Sequence, residues 1–174
     1  MNKLHLGCGR IIKKGYLNLD IKKLPGVDVI HDLTKYPYPF KDNTFDLIEM
    51  HHVLEHLNEP LKVLEELWRI SKPGGKIIIA VPHWSHFTAW GDFTHMKYYS
   101  SAAFIYYENN DPKYYSDKMN FKVLEKKFTA TRINSKWINP FLNPILNLSP
   151  ILTELILCKF LPVSQIIFKL RVIK

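Results

Sequence analysis

The sequence predicts an α/β fold with a mostly parallel β-sheet. Strand-like and helix-like segments alternate through residues 1–81, as the crossovers of a parallel sheet require. The segment 76–81 is a continuous apolar run rich in β-branched residues, which is typical of a strand covered on both faces. The chain of 174 residues is long enough for one domain with a sizeable core but too short for two. We therefore expect a single domain over residues 1–174.

Seven segments have strand character. In chain order they cover residues 4–6, 16–21, 27–31, 45–50, 76–81, 121–131 and 165–173. A helical turn is predicted at 53–57, directly after the fourth strand. The longest helix is predicted to begin at Asn58, a capping residue, with Pro60 in its first turn. Because proline cannot continue a helix and glycine favours a left-handed cap, we expect Pro73–Gly75 to end it.

The chain divides into three regions by composition. Residues 1–81 form the alternating half, whose strand ends suit a cofactor. Residues 82–120 are rich in aromatic and histidine side chains and lack clear periodicity, so we expect a lid or acceptor-binding region there. Residues 121–174 combine the last two strands with an apolar segment at 138–168.

The apolar segment at 138–168 does not match a membrane-spanning helix. A span needs about 20 apolar residues without interruption, and this segment is interrupted by Pro150, Glu154, Lys159 and Pro162. We expect a pair of short helices that cover the sheet or wall the acceptor pocket. A homodimer interface and an interfacial helix in peripheral contact with a membrane are the alternatives.

Charge and cysteine content restrict the partners and the compartment. The net charge is +8, but the lysines are scattered, which favours a solvated surface over a binding track for nucleic acid. The two cysteines, Cys8 and Cys158, are too few for a disulfide framework, and no secretory signal is visible. We expect a cytoplasmic location, with peripheral membrane contact as a further option.

The first two strands end in residues suited to a nucleoside cofactor. Gly7 and Gly9 follow the first strand and let the backbone approach a ligand where a Cβ would collide with it. Asp20 ends the second strand, where its carboxylate can hold the two hydroxyls of a ribose. A dinucleotide site would need a third glycine, where Ile12 stands, and a helix that has no room before Asp20. A cofactor with a ribose but no phosphate fits better, which indicates S-adenosylmethionine.

Four sequence blocks, in order, carry a family resemblance. They lie at 4–9, 18–20, 45–57 and 67–76 and contain LHLGCG, NLD, FDLI with HVLEHL, and LWRISKPGGK. Together they resemble the class I S-adenosylmethionine-dependent methyltransferases, and within these the type 11 group. The resemblance implies a Rossmann-like fold with a seven-strand sheet and S-adenosylmethionine-dependent methyl transfer as the activity. The helices around the first strand are missing or reduced here, which would leave one face of the sheet poorly covered.

The resemblance also assigns roles to residues. Gly7 and Gly9 would line the methionine part of the cofactor, and Asp20 would hold its ribose. Asp32 would accept a hydrogen bond from the adenine amino group, or alternatively serve as a turn carboxylate. The full set of expected cofactor-binding residues is Leu6, Gly7, Cys8, Gly9, Asp20, Ile21, Asp32, Leu33, Met50 and His51. The acid usual in the first block is replaced by His5, which weakens the expected contact with the cofactor's amino group.

Two segments beyond the fifth strand hold the candidate catalytic residues, and in this fold they lie over the methyl group of the cofactor. The candidates are His83, His86, Asp92 and His95. A general base is useful where the acceptor is a hydroxyl or an ammonium group. The alternatives are a metal site and loop histidines that are satisfied by hydrogen bonds or bind the acceptor. Because the spacings match no established ligand pattern, we expect no metal.

Another histidine pair has the spacing of a helical ligand pair. His52 and His56 lie four residues apart. Their place in the family block favours helix packing and the rim of the cofactor site.

The acceptor is expected to be a small molecule or a lipid- or glycan-type compound. Aromatic side chains that can line a water-excluding pocket are Trp84, Phe87, Trp90, Phe93, Tyr98, Tyr99, Phe104, Tyr106 and Tyr107. A nucleic-acid enzyme would pair such aromatics with a basic track, but only Lys97 and Lys113 are cationic between residues 84 and 115. Methylation of RNA and a non-catalytic, cofactor-binding partner subunit are the alternative functions.

Overall fold

The fold is built on one seven-stranded sheet. The computed structural model describes residues 1–109, 111–130, 139–161 and 163–174. The strands, β1 to β7, are Lys3–Leu6, Leu17–Asp20, Val29–Ile30, Phe45–His51, Ser71–Pro82, Asn120–Thr129 and Gln165–Ile173. Their order across the sheet is β3-β2-β1-β4-β5-β7-β6. The first five run parallel, and β7 is antiparallel to both of its neighbours, β5 and β6. The predicted α/β fold with a mostly parallel sheet is confirmed.

Helices are few and are concentrated after β4. The helices, α1 to α5, are Pro60–Ile70, Phe87–Trp90, Ile105–Glu108, Asn139–Leu148 and Pro150–Phe160. Short 3₁₀ turns cover Leu54–His56, Ser101–Phe104 and Pro112–Tyr114. Residues 7–28, all of which are described, contain no helix between β1 and β3, as expected from the reduced N-terminal half.

The end of α1 differs from the prediction. Pro60 occupies the first turn as expected, but the capping position is Glu59 and has no side-chain cap. The helix ends at Ile70, because Ser71 is extended and starts β5 at once. The backbone amides of Asn43 and Thr44 bind the last carbonyls of α1, at 3.0 and 2.8 Å.

The segment Pro73–Gly75 forms an irregularity within β5 instead of ending the helix. Phe45 of β4 pairs with Ser71, whereas Leu47 pairs with Lys76, so the extra β5 residues bulge out between these pairs. The predicted helix end was therefore wrong. Gly74 nevertheless has a conformational role, because its φ of +74° is the left-handed value that the bulge requires.

A polar cluster occupies one face of β1 and β4. The carboxylate of Glu49 accepts hydrogen bonds from Lys13, from the hydroxyl of Tyr16 and from His51, whose Nε2 lies 2.9 Å away. Burial raises the pKa of Glu49, but these hydrogen bonds outweigh it and lower the pKa to about 2. His5 lies beside Glu49 across the β1–β4 pair. Lys13 and Tyr16 of the 7–16 loop thus pair with Glu49 on this face, whereas Nδ1 of His5 is buried and has no hydrogen-bond partner among the described residues.

The apolar segment covers the opposite end of the sheet. Leu146 of α4 is fully buried, and Asn147 of the same helix binds both the N–H and the carbonyl of Phe128, at 2.8 and 2.9 Å. Asn143 accepts a hydrogen bond from the amide of Ala130. These side chains pair with β6, the edge strand, as a neighbouring strand would. This is the covering role predicted for residues 138–168.

Parts of two predictions lie outside the described residues. They are Thr131, the predicted end of the sixth strand, and Ile138 and Pro162 of the apolar segment. Among the helices that the structure describes, none is by itself long and apolar enough to cross a membrane. Only α4 and α5 together, bent by 103°, reach the required length and composition.

Candidate functional site

A cavity of about 680 Å³ opens at the carboxyl ends of β1 to β4, the edge at which parallel sheets bind ligands. Apart from Thr94, the residues that line it lie at the carboxyl ends of these strands or in the loops that follow them. The cavity is lined by Gly7, Gly9, Arg10, Asp20, Ile21, Lys22, Leu24, His31, Asp32, Leu33, His52, Val53, His56, Leu57 and Thr94.

The glycine turn after β1 forms one wall. Gly7 and Gly9 have φ values of +62° and +53°, in the left-handed region that favours glycine. A Cβ on Gly7 would lie 2.3 Å from a methyl carbon of Val53, whereas a Cβ on Gly9 would meet no atom within 4 Å. The amide of Cys8 donates to the carbonyl of Leu19 and holds the turn against β2. Gly9 therefore leaves its backbone open to a ligand.

Asp20 connects the glycine turn with the loop after β2. One of its oxygens accepts the amide of Gly9 at 2.7 Å, and the other accepts the amide of Lys22 at 2.9 Å. A carboxylate oxygen offers two lone pairs, so each oxygen retains one for the hydroxyl groups of a ligand. The ribose role predicted for Asp20 fits this geometry and stays a prediction.

Asp32 and Leu33 form the opposite wall. Asp32 accepts hydrogen bonds from the amide and the hydroxyl of Thr34, at 2.9 and 2.8 Å, which lower the pKa of its carboxyl group. This is the turn role that the sequence offered as the alternative to adenine binding. Since Asp32 also borders the cavity, the two roles are compatible.

Some predicted cofactor-binding residues do not border the cavity. Leu6, Cys8 and Met50 are buried, and His51 contacts Glu49 on the polar face of the sheet. His51 is the last residue of β4 and holds its imidazole on Glu49, whereas His52 lies in the turn that follows, with a φ of +54°, and borders the cavity. By contrast Gly7, Gly9, Asp20, Ile21, Asp32 and Leu33 are brought together.

Two histidines that the sequence placed at the rim of the cofactor site do border the cavity. They are His52, which has a φ of +54°, and His56. Thr94 also borders the cavity, and the sequence reasoning missed it. Thr94 gave no signal, because the loop that carries it is distant in sequence.

Two of the four candidate catalytic residues have structural partners elsewhere. His83 is fully buried, with Nε2 at 3.1 Å from Glu154 of α5 and Nδ1 at 2.8 Å from the hydroxyl of Ser85. His86 caps α2 through Nδ1 and Thr88, and burial lowers the pKa of its imidazole. Neither borders the cavity.

The other two candidates hold a loop against the cavity wall. Asp92 accepts hydrogen bonds from the amide and the hydroxyl of Thr94, at 2.9 and 2.6 Å. The hydroxyl of Thr94 lies 2.9 Å from Nδ1 of His56, and the ring of His95 packs edge-on against that of His56 at 4.7 Å. Asp92 and His95 thus act next to the cavity through Thr94 and His56.

The sequence around the cavity matches a known family. Residues 4–79 match a family model described as a methyltransferase domain. The chain is 40% identical over 67 residues to a demethylmenaquinone methyltransferase of Renibacterium salmoninarum, over 38% of this chain and 27% of that protein. It is 52% identical over 42 residues to an uncharacterized methyltransferase of Schizosaccharomyces pombe, over 24% of this chain and 15% of that protein. The chain therefore spans well under half the length of these curated relatives.

Solved structures are similar over nearly the whole chain. One is a chain from the complex between the Haloferax volcanii methyltransferase activator Trm112 and a methyltransferase. Its TM-score is 0.61 at 18% identity, over 99% of this chain and 83% of that chain. A SAM-dependent methyltransferase from Archaeoglobus fulgidus has a TM-score of 0.60 at 18% identity, over 98% of this chain and 85% of that chain. At these identities the likeness concerns the fold.

Proposed function

We infer that the chain belongs to the class I, type 11 methyltransferases, from the family match over residues 4–79 and from its fold. On this premise we propose that it transfers a methyl group from S-adenosylmethionine to a small-molecule or lipid-linked acceptor. The predictions of the family and of a Rossmann-like fold with seven strands are confirmed. S-adenosylmethionine as the cofactor follows from the family. The single domain over 1–174 and its three regions remain part of the proposal.

The observation that carries the proposal is the meeting of an open glycine turn and an available carboxylate in one cavity. Gly9 leaves space where a side chain would stand, and Asp20 has lone pairs for two hydroxyl groups. The cavity of about 680 Å³ is large enough for a nucleoside with an amino-acid arm. S-adenosylmethionine therefore fits these residues, and when bound it supplies an electrophilic methyl group on a sulfonium.

The chain's own residues position the reactants in this proposal. Methyl transfer is an in-line displacement, so the protein must mainly align the acceptor and exclude water. His56 and Thr94 border the cavity, and Asp92 and His95 hold them from behind. His83 and His86 stabilise the surrounding loops through Glu154 and Thr88.

An acceptor with an apolar part is supported by a second cavity. It measures about 410 Å³ and is lined by Leu54, Pro60, Leu61, Leu64, Tyr98, Tyr99, Ser100, Ala102, Ala103, Phe104, Tyr107 and Tyr115. Leu54 belongs to the same turn as His56, which borders the cofactor cavity. Four of the nine predicted pocket aromatics therefore line one space. A relative named for demethylmenaquinone is consistent with such an acceptor.

Peripheral membrane contact would bring the chain to a lipid-linked acceptor. Large apolar side chains are exposed along α4 and α5, among them Phe141 at 75%, Ile151 at 72% and Phe160 at 78%. The net charge of +8 favours an anionic surface. We keep a cytoplasmic location with this contact as part of the proposal. The alternative is that a protein partner covers these apolar side chains of α4 and α5, since a structural neighbour was solved with an activator protein.

The cofactor part is tested by calorimetric titration with S-adenosylhomocysteine. We expect binding by the wild type and a loss of about 10- to 150-fold in Asp20→Ala, which corresponds to about 1.5–3 kcal/mol for charge-assisted hydrogen bonds. Asp28→Ala is the matched control, because Asp28 also accepts a backbone amide, from Asn18, but does not border the cavity. Wild type that binds nothing at millimolar ligand would refute the proposal.

The acceptor class is tested by binding of single-stranded RNA on filters at low and moderate salt. We expect weak retention, because Lys97 and Lys113 are the only cations between residues 84 and 115. Tight binding that falls steeply with salt, or methylation of tRNA by the purified protein, would favour the RNA methyltransferase alternative. Label transfer from the methyl-labelled cofactor to any product in cell extract would exclude a non-catalytic partner subunit.

A further inference from the structure

Three potential metal ligands meet beside the cofactor cavity. Glu55 and His56 lie on the 3₁₀ turn after β4, and His95 comes from the loop after α2. One donor atom from each lies within 4.8 Å of the others. Three atoms at this spacing share a central point at most about 2.8 Å from each, so movements of under about 1 Å would bring them to metal–ligand distances near 2.1 Å.

Glu55 is the buried member of this cluster. Its side chain is 1% exposed, and among the described residues neither of its oxygens has a hydrogen-bond partner. Nδ1 of His52 lies 3.4 Å from Oε1 of Glu55, within ion-pair distance, but makes no hydrogen bond to it. The other nitrogen of His52 is 2.8 Å from the side-chain oxygen of Gln165. A buried carboxylate without hydrogen bonds is costly unless a cation compensates its charge.

Both cluster histidines are oriented with one nitrogen left over. Nδ1 of His95 lies 2.9 Å from the carbonyl of Ala89 and must donate to it, which leaves a lone pair on Nε2. The hydroxyl of Thr94 donates to Asp92, so it accepts from Nδ1 of His56 at 2.9 Å. Metal-binding histidines are held in this way, with the second nitrogen donating to a carbonyl or a polar group.

We propose that Glu55, His56 and His95 bind one divalent transition-metal cation at the wall of the cofactor cavity. Two imidazoles and one carboxylate suit Zn²⁺, Fe²⁺ or a related first-row ion. The sequence predicted no metal, because the spacings of His83, His86, Asp92 and His95 match no established ligand pattern. Only the fold brings the three proposed ligands together: the amide of Met96 donates to the carbonyl of Glu55 at 2.8 Å.

The position of the cluster suggests what the ion does. Three protein ligands leave an open coordination position, as in catalytic metal sites. His56 borders the cofactor cavity, so an oxygen of the acceptor can reach that position, where the ion lowers the pKa of a hydroxyl group. This consequence rests on the proposed methyl transfer, whereas the binding of the ion does not.

Cobalt(II) provides a direct test, because its visible absorption reports protein ligands. The untagged chain is freed of metal with a chelator and titrated with Co²⁺. We expect one equivalent to bind with visible absorption, and at least about 10-fold weaker binding in Glu55→Gln and in His95→Ala. His51→Ala is the matched control, since His51 ends β4 shortly before the cluster in sequence but contacts Glu49 on the polar face of the sheet. It should bind Co²⁺ like the wild type.

The outcomes separate this proposal from the proposed function. The titration contains no cofactor, and circular dichroism of the same variants checks that they are folded. If Glu55→Gln does not fold, the Co²⁺ titration of His95→Ala tests the site instead. His95 lies in a loop, where a substitution disturbs folding less than at the buried Glu55. Wild type that binds no Co²⁺ at millimolar concentration, or undiminished binding in a folded His95→Ala chain, would overturn the metal site whatever the result with the cofactor.

Discussion

At the residue scale, a substitution of Gly7 tests the conformation of the glycine turn after β1. Gly7→Ala would place a Cβ 2.3 Å from Val53 at a φ of +62°. We expect a loss of about 2–4 kcal/mol in the free energy of unfolding, from left-handed strain and overpacking together, and weaker binding of S-adenosylhomocysteine. Urea denaturation and calorimetry measure the two effects.

Gly15→Ala is the control for the backbone contribution. Gly15 has a φ of +79°, but a Cβ there would meet no atom within 4 Å. Gly15→Ala should lower the free energy of unfolding by the left-handed strain alone, about 1–2 kcal/mol. Equal losses in the two variants would show that the Val53 contact is not critical.

Glu154 is expected to make the stability depend on pH. Burial raises the pKa of Glu154, but hydrogen bonds from His83, Trp84 and Ser101 outweigh it and lower the pKa to about 2, against an ordinary value of 4.5. Between these values only the unfolded chain binds the proton. The contribution of Glu154, about 3 kcal/mol at most, is therefore complete above pH 4.5 and is lost as the pH falls towards 2.

Glu154→Gln tests this pH dependence by urea denaturation at pH 7 and pH 3. The variant should be less stable than the wild type at pH 7, and the difference should shrink at pH 3. Glu125→Gln is the control, since its ion pair with Lys169 is exposed and is expected to change stability by under about 1 kcal/mol. A difference that stays constant between the two pH values would contradict the assigned pKa.

At the element scale, α4 is attached to the edge strand β6 by an amide side chain. Asn147→Ala would leave the N–H and the carbonyl of Phe128 without the partners they have at 2.8 and 2.9 Å. We expect a loss of about 1–3 kcal/mol in the free energy of unfolding, because both groups are buried by the helix. Leu148→Ala, at an 81% exposed position of the same helix, should change it little. Similar stabilities of the two variants would mean that water replaces Asn147.

The bounds of α1 and β5 show how elements compete for the same residues. Proline followed by two glycines, as at Pro73–Gly75, favours the end of a helix when only the local sequence is considered. Here Ser71 already pairs with Phe45 in the sheet, so the helix ends before this segment. Gly75 is required there for another reason: a Cβ would lie 2.9 Å from the carbonyl oxygen of Lys72.

At the scale of the whole molecule, the exposed apolar side chains of α4 and α5 are expected to contact lipid. We expect the wild type to float with anionic phospholipid vesicles and the triple variant Phe141→Ser, Ile151→Ser, Phe160→Ser to remain in solution. These residues are 72–78% exposed, so the substitutions should not impair folding.

A second variant separates this surface from other exposed aromatics. Phe87→Ser with Phe93→Ser removes side chains that are 76% and 107% exposed outside α4 and α5, and it should still float. Equal flotation of wild type and triple variant would count against membrane contact. A concentration-dependent dimer, seen by sedimentation and lost in the triple variant, would favour the homodimer alternative instead.

The sequence by itself determined the strand order along the chain, the parallel half of the sheet and the place of Gly7, Gly9 and Asp20. These features depend on local patterns: periodicity along a strand, glycine where φ is positive, and a carboxylate at a strand end. Tertiary structure alone decided where α1 stops, that His83 pairs with Glu154, and that Glu55, His56 and His95 share one place. Each of these depends on partners from elements remote in sequence, and spacing along the chain carries no information about which loops fold against one another.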